Sequence, residues 1–229
     1  MPLRNLFRRL ETRALLLWLG VVGVMWGFFD LAGEMREGET KAFDSDILLA
    51  LRRPGDLADP IGSRAFEESM RDVTALGGVT FLTLLTVVAT LALLIHGKWK
   101  RALVFASTVI AADLSSEVLK QIYDRPRPTL VPHGSYVYSA SFPSGHSTMS
   151  AATFLTLATI IASLEPDRAT KSLAYAVAVA LTVMVGFSRV YLGVHWPSDV
   201  LGGWSLGAAW ALVAWIVLNR VTRTEPARC

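Results

Sequence analysis

The chain has 229 residues, of which 52% are hydrophobic and 18% are charged, and its formal net charge is +3. An average soluble domain carries about 25% charged residues, whereas several apolar runs here approach the roughly 20 residues that cross a bilayer. This composition predicts an all-α polytopic membrane protein and disfavours a soluble domain with a large core. No clustered basic face points to nucleic acid, and the single cysteine, Cys229, excludes an intrachain disulfide and a thiolate metal site.

The first apolar run, Ala14–Phe29, follows a basic start that contains four arginines. The run is long for the apolar part of a signal peptide, and no convincing cleavage site follows it. We therefore expect a retained first transmembrane helix. The polar residues 30–72 come next and predict an external loop, with a short interfacial helix near Phe43–Leu51.

Five further apolar runs are each close to the length of a transmembrane helix. They are Leu76–Ile95, Ala102–Leu119, His146–Leu164, Leu173–Val190 and Val200–Leu218. With the first run they predict about six spans in a single membrane domain, residues 1–229. Basic segments mark the cytoplasmic side. Because such segments lie at both ends of the chain and after the second and fourth spans, both termini are predicted to be cytoplasmic.

Positive charge also gathers on the predicted external side, where this rule disfavours it. The residues concerned are Lys120, Arg125, Arg127, Arg189 and His195. Their position suggests that they have a function in the region 120–199. The external Arg52 and Arg53 need no such explanation, because acids including Asp44 lie near them in the sequence.

Two of three motifs on this side surround the loop before the fourth span. In KQIYDRPRP the prolines stiffen the segment that carries Arg127; the alternative is an ordinary basic loop beside the membrane. In PSGH, Ser144 is a candidate N-cap and Gly145 allows close approach of the backbone. Backbone N–H groups at a helix start attract anions, and His146 stands in that first turn. The alternative is a capped helix with an interfacial histidine.

The third motif, SRVYLGVHWPSD, follows the fifth span. A carboxylate at Asp199 can accept the N–H of His195, which orients the imidazole and strengthens its other nitrogen as a nucleophile. The alternative is that Asp199 only caps the next helix and His195 is exposed. Glu117 lies one turn before Lys120 on the same helix face; it either positions Lys120 or sits in interfacial water.

Taken together, three cations and a helix N-terminus suit a phosphate group, and two histidines suit a nucleophile and a proton donor. Divalent cations prefer several oxygen ligands, and the pattern offers no such cluster. The sequence therefore predicts a phosphate site that uses no metal and no cofactor.

The three motifs resemble the signature motifs of the phosphatidic acid phosphatase type 2 superfamily, complete and in order over residues 120–199. The resemblance implies that His195 forms a phosphohistidine, that Asp199 supports it, and that His146 protonates the leaving group and then activates water. It implies that the phosphate is held by Lys120, Arg127, Ser144, Gly145 and Arg189. It further implies an enzyme of the bacterial cytoplasmic membrane whose active site faces the exterior and takes lipid phosphates from the outer leaflet, without an obligate protein partner.

Several substrates are compatible with this interpretation: undecaprenyl pyrophosphate, phosphatidylglycerol phosphate, phosphatidic acid or a lipid A phosphate. The sequence favours the first of these or a broad range. A phosphotransferase that uses a second lipid as acceptor is a related alternative. Vanadium haloperoxidases share the anion pocket but are soluble, so the hydropathy argues against them. A transporter or other non-enzymatic protein is disfavoured because we see neither internal repeats nor interrupted helices.

Overall fold

A computed structural model describes residues 2–135 and 139–222, and the side chains of 18–135 and 139–221. The described helices are α1 Pro2–Glu37, α2 Lys41–Ala50, α3 Arg64–Ala75, α4 Val79–Ile95, α5 Trp99–Tyr123, α6 Gly145–Leu164, α7 Arg168–Tyr191 and α8 Pro197–Thr222. Two short strands, β1 Arg52–Arg53 and β2 Asp56–Pro60, lie between α2 and α3. The described side chains do not include the four arginines of the basic start, Arg4, Arg8, Arg9 and Arg13, or Arg223 and Cys229 at the other end.

Four of the described helices, α5 to α8, are long and apolar enough to cross a membrane. Each contains one of the predicted runs. A fifth candidate span arises if α3 and α4, which meet at a bend of 47°, are counted as one. The first predicted run lies in α1, whose side chains are described only from Trp18 onward. A count of six spans therefore stays a prediction.

The segment 30–72 contains the end of α1, helix α2, the two strands and most of α3, and its external position stays a prediction. Helix α1 continues to Glu37, and α2 occupies the place of the predicted interfacial helix. The chain is mostly helical, as predicted, and two short antiparallel strands, β1 and β2, are an addition that the sequence did not predict. They form because Pro54-Gly55 makes a tight turn, in which Gly55 has a φ of 87° that glycine adopts without strain.

Helix α6 forms the centre of the bundle and lies between α5, α7 and α8. It approaches α8 most closely at Gly203 and Gly207. A Cβ at Gly203 would lie 2.6 Å from the Ser144 carbonyl oxygen, and one at Gly207 would lie 2.4 Å from that of Thr148. Small residues at this spacing let two membrane helices touch along their backbones. The outward faces of the bundle are apolar, for example at Leu103, Ile110, Leu114 and Val118.

Replacing Gly207 by alanine should destabilise the bundle, because the new methyl group meets backbone that cannot move aside. We expect G207A to lower the midpoint of thermal unfolding in detergent by several degrees, which corresponds to about 1–3 kcal/mol of overpacking. The matched control is G33A in α1, where a Cβ would meet nothing within 4 Å. Equal midpoints for the two variants would contradict the close α6–α8 contact.

Candidate active site

The three motifs meet at one end of the bundle. Neighbouring helices alternate in direction, so the last turns of α5 and α7 lie beside the first turns of α6 and α8. The motif residues at this end are Lys120, Arg127, Ser144, Gly145, His146, Arg189, His195 and Asp199. The ring of His146 lies within electrostatic range of Arg189, His195, Lys120 and Arg127. The structure thus brings both histidines and all three cations of the motifs together.

His195 lies in the loop between α7 and α8 and is only 2% exposed, unlike the alternative in which it faces solvent. Its Nδ1 is 3.3 Å from Oδ2 of Asp199. Its Nε2 is 3.1 Å from Nη1 of Arg127. These contacts fit the tautomer that carries its proton on Nδ1. The lone pair of Nε2 then accepts a hydrogen bond from Nη1 of Arg127.

Asp199 is fully buried in the first turn of α8 and is surrounded by donors. Its Oδ2 accepts a hydrogen bond from the hydroxyl of Ser141 and another, of 2.9 Å, from the backbone N–H of Trp196. Its Oδ1 accepts from Nη1 of Arg125 at 2.5 Å. The carboxylate is therefore held at both oxygens while it faces His195.

Lys120 and Arg127 are each held in position by contacts with neighbouring residues. The ammonium of Lys120 lies 2.5 Å from the carboxylate of Glu117, which is half exposed. A Cβ added to Gly145 would lie 3.1 Å from the same ammonium, so the lysine rests against the first turn of α6. Arg127 donates to the carbonyl oxygens of Ser139 and Val194, each at 2.8 Å.

Arg189 is the most deeply buried of the three cations, with 3% exposure. Its Nη1 donates to the hydroxyl of Thr74 at 2.9 Å. Its Nε is buried and has no hydrogen-bond partner among the described residues. Buried charged donors are normally paired, so this N–H can still take an acceptor.

The PSGH segment forms the start of α6. The hydroxyl of Ser144 is buried and accepts from the backbone N–H and the hydroxyl of Ser147, at 3.4 and 3.0 Å. In this geometry Ser144 acts as the helix cap, and its hydroxyl is turned into the helix. A direct contact between Ser144 and phosphate stays a prediction. Gly145 and His146 are half-buried in the first turn.

Four polar residues of this region were not among the predicted site residues: Asp44, Thr74, Arg125 and Ser141. Arg125 was counted among the external cations but given no role of its own, although the doubled Arg-Pro in KQIYDRPRP singles it out. Asp44 was considered only as one of the acids near Arg52 and Arg53, but its partner is Arg125. It lies 2.7 Å from Nη2 of Arg125, whereas Arg52 donates to the Tyr191 carbonyl at 2.9 Å.

The electrostatic environment favours a neutral His195. Burial lowers the pKa of His195 to about 4, and the charges of Arg189 and Arg127 act in the same direction, although Asp199 opposes them. Burial also lowers the pKa of Arg127, against the effect of Asp199, but an arginine remains cationic. Among the described residues no group of three or more His, Cys, Asp or Glu side chains is arranged to hold a metal ion.

Residues 101–223 match the family described as the PAP2 superfamily. The chain is 38% identical to phosphatidylglycerophosphatase B of Bacillus subtilis over 143 residues, 61% of this chain and 69% of that protein. It is 28% identical to a lipid A 1-phosphatase of Rhizobium etli over 181 residues, 75% of this chain and 73% of that one. The crystal structure of a transmembrane PAP2-type phosphatidylglycerolphosphate phosphatase from Bacillus subtilis superimposes with a TM-score of 0.78. The two are 30% identical, and the match covers 91% of this chain and 98% of the other.

The lowered pKa of His195 predicts a specific loss of stability in acid. The unfolded chain binds a proton near pH 6.5 and the folded chain near pH 4, so stability should fall as the pH decreases through this interval. The imidazole alone should contribute up to about 3 kcal/mol of this loss. Thermal unfolding in detergent should therefore depend less steeply on pH for H195Q than for the wild type. Parallel curves would contradict the prediction.

Proposed function

The chain belongs to the PAP2 superfamily, and on that basis we propose that it is an integral membrane phosphatase of lipid phosphates that works through a phosphohistidine. The observation that carries the proposal is the convergence of His195 and the cations Lys120, Arg127 and Arg189 around His146. Among the described residues, the last of these cations has a buried Nε without a hydrogen-bond partner. Three cations beside two histidines suit a phosphoryl group: when it binds, Arg127 turns from Nε2 of His195 to a phosphate oxygen, and Nε2 is free to attack phosphorus.

In the first step, Nε2 of His195 attacks phosphorus as the bond from phosphorus to the leaving oxygen breaks. Lys120, Arg127 and Arg189 neutralise charge on the non-bridging oxygens as it redistributes in the transition state. Asp199 accepts the Nδ1–H of His195 and stabilises the positive imidazole ring that forms. His146 gives a proton to the leaving oxygen, so that a neutral alcohol, or a protonated phosphate, departs.

In the second step, a water molecule attacks the phosphorus of the phosphohistidine. His146 has lost its proton in the first step and now takes one from this water. The phosphorus–nitrogen bond breaks and its electron pair returns to Nε2 of His195. Inorganic phosphate leaves, and both histidines regain their starting protonation states.

We place this chemistry at the extracytoplasmic face of a bacterial cytoplasmic membrane, with both termini in the cytoplasm. The distribution of basic segments supports this orientation. The apolar outward faces of the helices support direct contact with lipid, from which a substrate of the outer leaflet would enter sideways.

For the substrate, we propose phosphatidylglycerol phosphate first. The similarity to a curated relative and to a crystal structure from Bacillus subtilis whose names carry that substrate supports this choice over undecaprenyl pyrophosphate, which the sequence alone favoured. The terminal phosphomonoester of this lipid, beyond its bridging phosphodiester, presents one phosphoryl group to the three cations.

Replacing His195 by glutamine should abolish turnover, because an amide cannot take the place of the imidazole that is proposed to accept the phosphoryl group. Purified wild type in detergent should release inorganic phosphate from phosphatidylglycerol phosphate. The same assay is run on a panel of substrates that also includes undecaprenyl pyrophosphate, phosphatidic acid and lipid A 1-phosphate. H195Q should be slower by about a thousandfold or more. The control is H96Q, a change in an exposed histidine just after the end of α4, which should keep wild-type turnover.

Near wild-type turnover by H195Q would overturn the assignment. Phosphate release that persists with a chelator and stops with vanadate supports this chemistry over transport or binding. Transfer of the phosphoryl group to a second lipid, without release of phosphate, would favour the phosphotransferase alternative.

Replacing His146 should trap the intermediate, because the second step needs a base for water. We expect H146Q to accumulate a labelled protein when it is given the panel substrate with the best leaving group, labelled in its terminal phosphate. The label should be stable in base and lost in acid, as for a phosphorus–nitrogen bond. Slow turnover of H146Q without any labelled protein would argue against the covalent route.

A further inference from the structure

We propose that Asp44 and Arg125 form, with Asp199, a charge chain that holds His195 in its reactive orientation. Asp44 is then a positioning residue that the outer helix α2 supplies to the site. This inference rests on the function proposed above, because it assigns a role in the same phosphoryl transfer. Asp44 lies far outside residues 101–223, the part of the chain that matches the family.

Arg125 stands between two carboxylates. Its Nη1 is 2.5 Å from Oδ1 of Asp199, and its Nη2 is 2.7 Å from Oδ2 of Asp44. Nη1 also donates to the hydroxyl of Ser198 at 2.7 Å. The planar fork of a guanidinium can satisfy several acceptors at once, which a lysine ammonium on a flexible stem cannot do in the same geometry.

The charge chain formed by Asp44, Arg125 and Asp199 is almost entirely buried. The side chains of Asp44 and Asp199 are 1% and 0% exposed, and that of Arg125 is 10% exposed. Removing one partner of a buried ion pair leaves an uncompensated charge, which costs far more than the pair contributes. The three groups must therefore be treated as one unit.

Asp44 also fixes the start of α8 directly. Its Oδ1 accepts the backbone N–H of Ser198 at 2.9 Å, and its Oδ2 accepts the Ser198 hydroxyl at 2.7 Å. Ser198 immediately precedes Asp199. A carboxylate at a helix N-terminus is favourable because it satisfies free N–H groups and meets the positive end of the dipole. Helix α2 is thereby locked to the turn that carries the histidine's partner.

The charge chain affects the orientation of His195, because Arg125 contacts the oxygen of Asp199 that lies away from the histidine. Arg125 holds Oδ1, so Oδ2 is left to face Nδ1 of His195. Arg125 is itself held by Asp44 and by a cation–π contact with Trp196, in which Cζ of Arg125 lies 5.6 Å from the ring centroid. Without Asp44 the guanidinium would be free to move onto Asp199 alone and neutralise the charge that should stabilise the phosphorylated imidazole.

The test is steady-state kinetics with the preferred substrate for wild type, D44N, R125K, R125Q and the double variant D44N/R125Q. A thermal unfolding midpoint accompanies each measurement. We expect D44N and R125K to lower kcat by about 10- to 100-fold, the range typical of groups that orient a functional side chain. KM should change little, because neither residue touches the phosphate. R125K keeps the positive charge, so it tests the positioning role even if the D44N protein fails to fold.

The double variant separates positioning from mere stabilisation. It removes the charges of Asp44 and Arg125 together and leaves Asp199 as the one charged carboxylate of the unit, so its unfolding midpoint should lie above that of R125Q, which leaves two unpaired carboxylates. If Asp44 and Arg125 only stabilise the fold, kcat should recover with it. If they position Asp199, kcat should stay at least about tenfold low.

The matched controls are D59N and R53Q, which break the exposed ion pair of 3.1 Å in the nearby hairpin. Both should keep wild-type kinetics. Wild-type kcat in D44N or R125K, or recovery of kcat in the double variant, would overturn the inference while leaving the proposed function intact. Absence of phosphate release by the wild type itself would instead overturn the proposed function, and the inference with it.

Discussion

The close contact between α6 and α8 is the constraint on which the site depends. Gly203 and Gly207 let the two backbones touch, and at the end of that contact the N–H of Ser144 donates to the carbonyl oxygen of Asp199 at 3.0 Å. This hydrogen bond links the PSGH turn at the start of α6 to the first turn of α8, which carries Asp199, the partner of His195. A longer distance between the helices would separate the two histidines, whatever the side chains around them.

The cations of the site are held mostly by neutral groups. Arg127 is fixed by backbone carbonyls and Arg189 by the Thr74 hydroxyl, whereas Lys120 forms an ion pair with the half-exposed carboxylate of Glu117. Carboxylates close to all three would orient them equally well but would cancel the field that stabilises developing negative charge. The two buried carboxylates, Asp44 and Asp199, are instead turned towards Arg125 and the far side of the histidine.

Local patterns in the sequence were enough to predict α5 to α8 and the end of the bundle where the motifs gather. Apolar runs of membrane length are rare by chance, and alternating helix directions then fix which loops share a side. The partners of the motif residues could not be found this way. Asp44 is 81 residues from Arg125, and Thr74 is 115 residues from Arg189. Such contacts depend on how α2 and α3 fold back over the bundle, and no spacing rule encodes that.

The bend between α3 and α4 has a consequence for how the protein responds to its surroundings. Thr74, at the end of the strongly amphipathic α3, holds Arg189, while α4 is apolar along its whole length. An amphipathic helix follows the lipid–water boundary, and a span adjusts its tilt to bilayer thickness. Any change in thickness that alters the 47° angle would move Thr74 relative to the bundle. Through this contact, the position of Arg189 would depend on the lipid or detergent that surrounds the protein.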